Sequence, residues 1–119
     1  MLFLLITFNF SAQEIKSPSE FLGYELGSRF TFHHQVVDYY QYLSDAAKDR
    51  IKLNEYGKTN EGRSLLLAYI SSPENMVNLE EIRMEHLKST NGSGTPTKSI
   101  VWLSYNVHGN ESVSTEASM

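Results

Sequence analysis

The sequence predicts an α/β fold, in which a mixed and mostly parallel sheet is flanked by helices. Helix-length amphipathic segments alternate with apolar segments of strand length, an order that is typical of α/β domains with at least partly parallel strands. The hydrophobic share of 40% and the charged share of 20% are those of a globular chain. The length of 119 residues fits a single domain of ordinary size.

The N-terminal residues differ in composition from the rest of the chain. Leu2 to Phe8 is almost wholly apolar, and the chain turns polar at Gln13. This run is too short to cross a bilayer, which takes about 20 residues, but it has the length of the apolar region of a signal peptide. No basic residue precedes it, and Phe10 stands where a small residue is usual. We predict a signal peptide over residues 1–12 and an exported protein, periplasmic or extracellular; the alternative is an N-terminal core strand.

Residues 13–30 are predicted to be an extended lead-in segment, and a helix is predicted to follow it. The helix runs from about Phe32 to Arg50, with Thr31 as its N-cap. Tyr39 and Tyr42 flank its apolar stripe and are predicted at the edge of the buried face. The stripe recurs at helical spacing and consists of Val36, Tyr40, Leu43 and Ala47.

Two strands and a second helix are predicted next. Ile51 to Tyr56 is predicted to be a short strand, and Ser64 to Ser71 an apolar strand buried on both faces. Residues 57–63 between them are polar and bounded by glycines, which is typical of a turn. Ser72 and Pro73 predict the cap and the first residue of the second helix. The apolar stripe of this helix is Met76, Leu79, Ile82 and Leu87.

The last part of the chain predicts a loop, a strand and the start of a helix. Residues 91–96 have the composition of a surface loop. Ser99 to Val107 is an apolar run of strand length, in which Trp102 is predicted to be a core residue. The run leads into His108-Gly109-Asn110-Glu111, after which a cap-like Ser112 opens a helix. Because this helix has little in the chain to pack against, we expect the chain to be a fragment of a larger domain.

Charge and cysteine content exclude several classes of function. The net charge is −4 and the 10 basic residues are scattered, so no nucleic-acid-binding surface is predicted. The chain has no cysteine, which excludes disulfides and leaves His, Asp and Glu as the only strong metal ligands. No second long apolar run follows the first, so no transmembrane helix is predicted.

One pair of residues has the spacing of a metal site. His108 and Glu111 lie three residues apart, which in a helical turn directs both side chains to one side. Catalytic zinc sites commonly combine two histidines, a carboxylate and a water. The pair follows an apolar run, as ligand-binding residues do in open α/β sheets, and Gly109 is predicted to let the backbone bend sharply. Spacing and position alone leave a polar loop with an exposed histidine as the alternative.

Two longer motifs accompany this pair. Residues 106–111 read Asn-Val-His-Gly-Asn-Glu and are followed by Ser-Thr-Glu-Ala at 114–117, and residues 56–63 contain a Glu-Gly-Arg turn before an apolar strand. Together they resemble the zinc carboxypeptidase family over roughly residues 20–119. The resemblance implies that His108 and Glu111 bind one zinc ion. It also implies that the whole protein is a secreted metallopeptidase, a hydrolase acting on the C-termini of peptides and proteins.

The resemblance also implies which parts of the family's site are missing. The family's second zinc histidine, the arginine that grips the terminal carboxylate, a tyrosine and the water-activating glutamate are expected beyond Met119. No residue of this chain is therefore assigned a catalytic role, and the chain alone is expected to be inactive and to bind zinc weakly. Residues 31–119 are expected to be the N-terminal portion of a zinc carboxypeptidase-like catalytic domain.

Alternative functions stay open at this point. Many digestive members of the family have an arginine before the metal-binding glutamate and an aromatic residue after it, where this chain has Asn110 and Ser112, so the residue preference is undetermined. The His-Gly-Asn-Glu segment also resembles zinc deacylases of the aspartoacylase and succinylglutamate desuccinylase kind. The Glu-Gly-Arg segment and the apolar N-terminus favour the peptidase. A non-catalytic exported binding domain is the third hypothesis.

Other polar side chains are assigned structural roles. His33 and His34 are neighbours on a helix, where side chains point about 100° apart, so both are predicted to lie on its surface. His86 suits the C-terminal end of a helix. Arg63 is expected to stabilise the turn at residues 57–63 and not to bind a carboxylate of a substrate. Glu116 is expected either to support a ligand histidine or to be exposed.

Overall fold

The computed structural model describes residues 14–119. The predicted signal peptide therefore lies outside the described residues and stays a prediction. The elements follow one another as helix α1 (Pro18–Leu22), helix α2 (His33–Ala46), strand β1 (Ile51–Lys58), strand β2 (Ser64–Ile70), helix α3 (Pro73–Val77), helix α4 (Leu79–Thr90) and helix α5 (Val113–Ala117). None of these helices combines the length and the apolar character that a membrane span requires.

Helix α1 lies within the segment that was predicted to be extended. The Ser17 hydroxyl accepts the Glu20 backbone N–H at 3.4 Å, and the Glu20 carboxylate accepts the Ser17 backbone N–H at 2.8 Å. This reciprocal capping box, with Pro18 at the first helical position, is a recognised way to begin a helix. The Ser-Pro-x-Glu pattern of residues 17–20 was therefore a sequence signal that the prediction of an extended segment overlooked.

Helix α2 confirms the predicted helix, although it ends at Ala46 and not near Arg50. It also differs from the prediction in its cap and in the centre of its buried face. The N-cap is Phe32, not Thr31. Tyr39 is 4% exposed and Ala47 is 6% exposed, so Tyr39 lies at the centre of the buried face and not at its edge. The reason is α1, whose Phe21 ring lies 5.2 Å from the Tyr39 ring. The other members of the predicted stripe are half-buried, namely Val36, Tyr40 and Leu43.

Strands β1 and β2 form an antiparallel hairpin, which confirms the predicted strand–turn–strand segment. The register pairs Ile51 with Ile70 at one end and Lys58 with Ser64 at the other. Gly62 in the connecting turn has φ 78°, a left-handed conformation that glycine adopts without steric cost. The prediction that β2 is buried on both faces is wrong for this structure, because most of its positions are only half-buried. Within the described residues α2 packs against this hairpin and no second layer covers its other face.

The sheet of residues 14–119 consists of this hairpin alone. The segment Ser99 to Val107 does not form the predicted third strand, and its side chains are exposed. Trp102 is 72% exposed, so its assignment to the core is wrong for this structure. A strand exists through backbone hydrogen bonds to a neighbouring strand, and no described segment pairs with this one. The predicted mostly parallel sheet is therefore not formed within these residues.

The second predicted helix is divided into α3 and α4. The Ser72 hydroxyl accepts the Asn75 backbone N–H at 3.4 Å, and Pro73 is the first helical residue, as predicted. Asn78 ends α3 and begins α4, with φ −107° and ψ 19°. The apolar stripe is half-buried except at Leu87, which is 45% exposed. The predicted loop at residues 91–96 is confirmed.

Candidate metal-binding site

His108 and Glu111 meet in the turn that precedes α5. His108 Nδ1 lies 2.7 Å from Glu111 Oε1. The His108 backbone N–H donates to Glu111 Oε2 at 3.3 Å, and the Glu111 backbone N–H donates to His108 O at 3.1 Å. The predicted convergence of an imidazole nitrogen and a carboxylate oxygen is therefore present in the structure.

This pair is open to solvent. The His108 side chain is 71% exposed and the Glu111 side chain 43%. An exposed hydrogen-bonded pair of this kind contributes little to the stability of a fold, because water competes for both partners. Both side chains are correspondingly accessible from solution.

The chain turns between the two residues of the pair, at Gly109 and Asn110, where the Glu111 backbone N–H donates to His108 O. Two residues before the pair, Asn106 has φ 55°. It is the only non-glycine residue among residues 14–119 with a positive φ. Asparagine tolerates this left-handed conformation better than most residues. Gly109 does not have a positive φ, and a Cβ atom added there would meet nothing within 4 Å. The predicted bend at Gly109 is therefore present, and it does not use the left-handed conformation that favours glycine.

Helix α5 starts directly from the turn that contains the pair. The Ser114 backbone N–H donates to Glu111 O at 3.0 Å, whereas the predicted cap Ser112 makes no side-chain capping hydrogen bond. Further along α5, Glu116 accepts the backbone N–H of Thr31 at 2.7 Å. Glu116 therefore does not bind the ligand His108 directly. It is not a free surface side chain either, because Thr31 engages it.

The sequence comparison identifies the family of this chain. Residues 36–119, well over half of the chain, match the profile of the zinc carboxypeptidase family. The chain belongs to the zinc carboxypeptidase family. The matched region includes His108 and Glu111 and the Glu-Gly-Arg turn, which confirms the resemblance that these motifs predicted. Comparison with curated proteins and with solved structures gives no match.

The donor atoms of the pair fit the zinc ion that the zinc carboxypeptidase family implies. An imidazole nitrogen and a carboxylate oxygen are both preferred zinc ligands. His108 Nδ1 and Glu111 Oε1 are joined by a hydrogen bond, and a cation held by both atoms would take the place of the hydrogen in that bond. Within residues 14–119, however, no group of three potential ligand side chains comes together. The described site thus provides two donors of the three that a catalytic zinc commonly uses.

The other histidines lie away from this pair. His33 Nε2 is 3.1 Å from Ser64 O, and His86 Nε2 is 2.7 Å from Lys98 O. His34 is exposed on α2. The predicted surface positions of His33 and His34 are confirmed, and none of the three histidines reaches the metal-binding pair.

Arg63 takes part in the hairpin turn, as predicted for a structural residue. Its guanidinium lies 2.6 Å from the Glu61 carboxylate, and both side chains are more than half exposed. Its backbone N–H donates to Thr59 Oγ1 at 3.1 Å. Both contacts are made inside the turn, so the side chain is engaged locally.

Sequence reasoning missed the residues that hold α5 in place. Thr31 binds Glu116 across 85 positions of the chain, and the Tyr40 hydroxyl donates to Ser118 O across 78 positions. Local periodicity and capping patterns extend over a few residues only, so no signal in the sequence indicates either contact.

Proposed function

We propose that this chain supplies two zinc ligands, His108 and Glu111, to a metallocarboxypeptidase that removes amino acids from the C-termini of peptides and proteins. The observation that supports this proposal is the separation of 2.7 Å between His108 Nδ1 and Glu111 Oε1 inside the region that matches the zinc carboxypeptidase profile. A zinc ion in such a site lowers the pKa of a bound water and polarises the carbonyl of the bond to be cleaved. The profile match also supports the peptidase over the deacylase hypothesis.

The two residues bind and orient the ion. His108 offers a neutral imidazole nitrogen, and Glu111 offers an oxygen together with a negative charge that offsets part of the charge of the ion. The second oxygen of Glu111 accepts the His108 backbone N–H at 3.3 Å, which keeps the carboxylate beside the imidazole ring. Two ligands alone bind zinc weakly, so we propose that the third ligand and the water-activating glutamate lie outside residues 14–119.

We also propose that residues 31–119 form the N-terminal portion of the catalytic domain, whose sheet is mixed and mostly parallel. In this arrangement the segment from Ser99 to Val107 is a strand that is covered on both faces. Its apolar surface supports the proposal, because large contiguous apolar patches are rare on soluble proteins and mark surfaces that become covered. The exposed apolar side chains of the segment are Ile100, Val101, Trp102, Leu103, Tyr105 and Val107.

The complete gene product in which these 119 residues occur is the protein to test. We expect it to contain one zinc ion and to release C-terminal amino acids from peptides, which mass spectrometry of the digests would show. His108→Ala should lose both the zinc and the activity. His34→Ala is the matched control and should retain both, because His34 is an exposed histidine on a different element.

Two outcomes would contradict the proposed function. If His108→Ala retained zinc and peptidase activity, the metal assignment would be wrong. If the wild-type protein cleaved N-acyl amino acids and left peptides intact, the deacylase hypothesis would replace the peptidase. The 119-residue chain alone is expected to release no amino acid from any peptide.

Export is a separate proposal, based on the apolar run from Leu2 to Phe8. N-terminal sequencing of the mature protein from the periplasmic or extracellular fraction tests it. A protein that stayed in the cytoplasm with residues 1–12 intact would contradict it.

A further inference from the structure

We propose that Glu116 is a positioning residue, which holds the metal-binding turn in place by attaching α5 to the start of α2. This inference rests on the proposed function, because the turn that it concerns contains the ligands His108 and Glu111. It follows from the contacts of α5, the helix that begins directly after the two ligands.

The carboxylate of Glu116 makes two hydrogen bonds to Thr31. Oε1 accepts the Thr31 backbone N–H at 2.7 Å, and Oε2 accepts the Thr31 hydroxyl at 3.1 Å. Thr31 is 6% exposed and lies directly before Phe32, the N-cap of α2. Glu116 therefore connects α5 to a buried position at the start of the longest helix.

The chemistry of the groups sets the direction of each hydrogen bond. An ionised carboxylate only accepts, so the Thr31 hydroxyl donates to Glu116. The Tyr24 hydroxyl lies 2.9 Å from Thr31 Oγ1 and must then donate to it. Tyr24, Thr31 and Glu116 thus form an ordered chain of hydrogen bonds. The charge of the final acceptor makes its two bonds stronger than bonds between neutral groups.

Few other contacts hold α5 and the turn before it. Among the described residues, one further hydrogen bond joins this part of the chain to the rest, from the Tyr40 hydroxyl to Ser118 O. Among residues 14–119, the segment 99–107 that precedes the turn pairs with no strand. The strand that is proposed for this segment in the complete domain would fix the chain before the turn, and the contact between Glu116 and Thr31 fixes the chain after it. Within residues 14–119, the placement of α5 therefore depends strongly on the contact between Glu116 and Thr31.

Two hydrogen bonds connect the position of α5 to the metal ligands. The Ser114 backbone N–H donates to Glu111 O at 3.0 Å, and Asn106 Nδ2 donates to Thr115 Oγ1 at 2.9 Å. These bonds lie on either side of His108 along the chain. A movement of α5 would therefore displace both donor atoms relative to any further ligand, and metal sites tolerate displacements of only about 0.5 Å.

Zinc affinity of the complete gene product, measured by competition with a chelator, tests the positioning role. Glu116→Ala removes both hydrogen bonds to Thr31 and should weaken zinc binding about 10- to 100-fold, the usual effect of residues that support metal ligands. Glu116→Gln should restore most of the affinity. Its amide oxygen can accept the Thr31 N–H, and its amide nitrogen can donate to Thr31 Oγ1, whose own proton then turns to Tyr24.

The matched control is Glu81→Ala, which removes an exposed glutamate from α4 and should leave zinc affinity unchanged. A folded Glu116→Ala variant that binds zinc as tightly as the wild type would overturn the inference. If Glu116→Ala does not fold, Thr31→Val is the second variant, because it keeps the backbone N–H and removes only the hydroxyl. We expect a smaller but measurable loss of zinc affinity for it, and unchanged affinity would overturn the inference as well.

A metal-free measurement separates this inference from the proposed function. Backbone amides of residues 106–112 should exchange hydrogen faster in Glu116→Ala than in the wild type or in Glu81→Ala. If the wild type binds no zinc but exchange rises in Glu116→Ala, the proposed function fails and the positioning role of Glu116 survives. If zinc binding depends on His108 but Glu116→Ala changes neither affinity nor exchange, the positioning role fails and the function stands.

Discussion

Tyr39 is the most deeply buried side chain of residues 14–119, at 4% exposure. Its ring centroid lies 5.2 Å from that of Phe21 and 6.1 Å from that of Tyr42, and its hydroxyl donates to Lys16 O at 3.1 Å. Aromatic pairs at such distances add to the free energy gained by burial. Tyr39 thus attaches the segment that contains α1 to helix α2.

Tyr39→Phe tests the contribution of this hydroxyl. We expect the free energy of unfolding of the complete gene product to fall by about 0.5–1.5 kcal/mol, because one intramolecular hydrogen bond is lost while the ring remains. Tyr39→Ala should cost more, about 3–5 kcal/mol, because a buried aromatic ring is removed. Tyr56→Phe is the control, since Tyr56 is 63% exposed and should change nothing. Equal stabilities of the Tyr39→Phe and Tyr56→Phe variants in urea unfolding would contradict this account.

At the scale of elements, two side-chain contacts join the region of α5 to the region of α2: Glu116 binds Thr31, which lies just before α2, and Tyr40 of α2 binds Ser118, which lies just after α5. The Tyr40 hydroxyl donates to the backbone carbonyl of Ser118. Burial raises the pKa of Tyr40 above its ordinary value, and the negative charge of an ionised Tyr105 raises it further. The hydroxyl therefore keeps its proton, and its hydrogen bond to α5, at a pH where an exposed tyrosine begins to ionise.

This raised pKa predicts how stability depends on alkaline pH. The unfolded chain ionises Tyr40 first, near its ordinary pKa of 10.0. The contribution of Tyr40 is therefore fully present below that pH and is lost as the pH rises through the higher pKa of the folded state. We expect the wild type to lose more stability than Tyr40→Phe between about pH 9 and pH 11, measured by urea unfolding at each pH. Comparison of the two proteins removes the effect of Tyr39, whose pKa is also raised by burial. Parallel loss of stability in both would show that Tyr40 makes no such contribution.

At the scale of the whole molecule, the described residues bury little apolar surface. Tyr39 and Ala47 are the only hydrophobic residues of residues 14–119 that are buried, and no large side chain is fully buried. Hydrophobic stabilisation is proportional to the apolar area removed from water, so this part of the chain has little of it. The large exposed apolar segment at residues 100–107 agrees with the proposal that further structure covers it in the functional protein.

Trp102 reports on this covering, because it is the single tryptophan of the chain. In the isolated 119-residue chain, its fluorescence should be that of a solvent-exposed indole and should be strongly quenched by acrylamide, since the residue is 72% exposed. In the complete gene product we expect weaker quenching and emission at shorter wavelength, provided that other tryptophans are replaced by phenylalanine. Equal quenching of Trp102 in the two proteins would contradict the proposal that Ser99 to Val107 is a covered strand.

Local chemistry explains which features could be predicted from the sequence. The period of 3.6 residues in α2, the glycine-bounded turn between β1 and β2 and the Ser-Pro start of α3 are properties of neighbouring residues, and all three are found in the structure. The same holds for His108 and Glu111, because a spacing of three residues brings two side chains together within one turn. The start of helix α1 is also specified by neighbouring residues, and its Ser17-Pro18-x-Glu20 signal was present in the sequence but overlooked.

Contacts between distant segments decided the rest. Glu116 binds Thr31 and not a histidine. Tyr39, and not its neighbours on α2, is the centre of the buried face because it packs against Phe21 of α1. In both cases the partner comes from a distant segment. The absence of a strand at Ser99 to Val107 has the same cause. An apolar composition suits a segment to a strand, but only a neighbouring strand can satisfy its backbone hydrogen bonds. Neighbouring residues thus specify a helix, a turn or a pair of donor atoms, whereas burial and pairing depend on what the rest of the molecule places beside them.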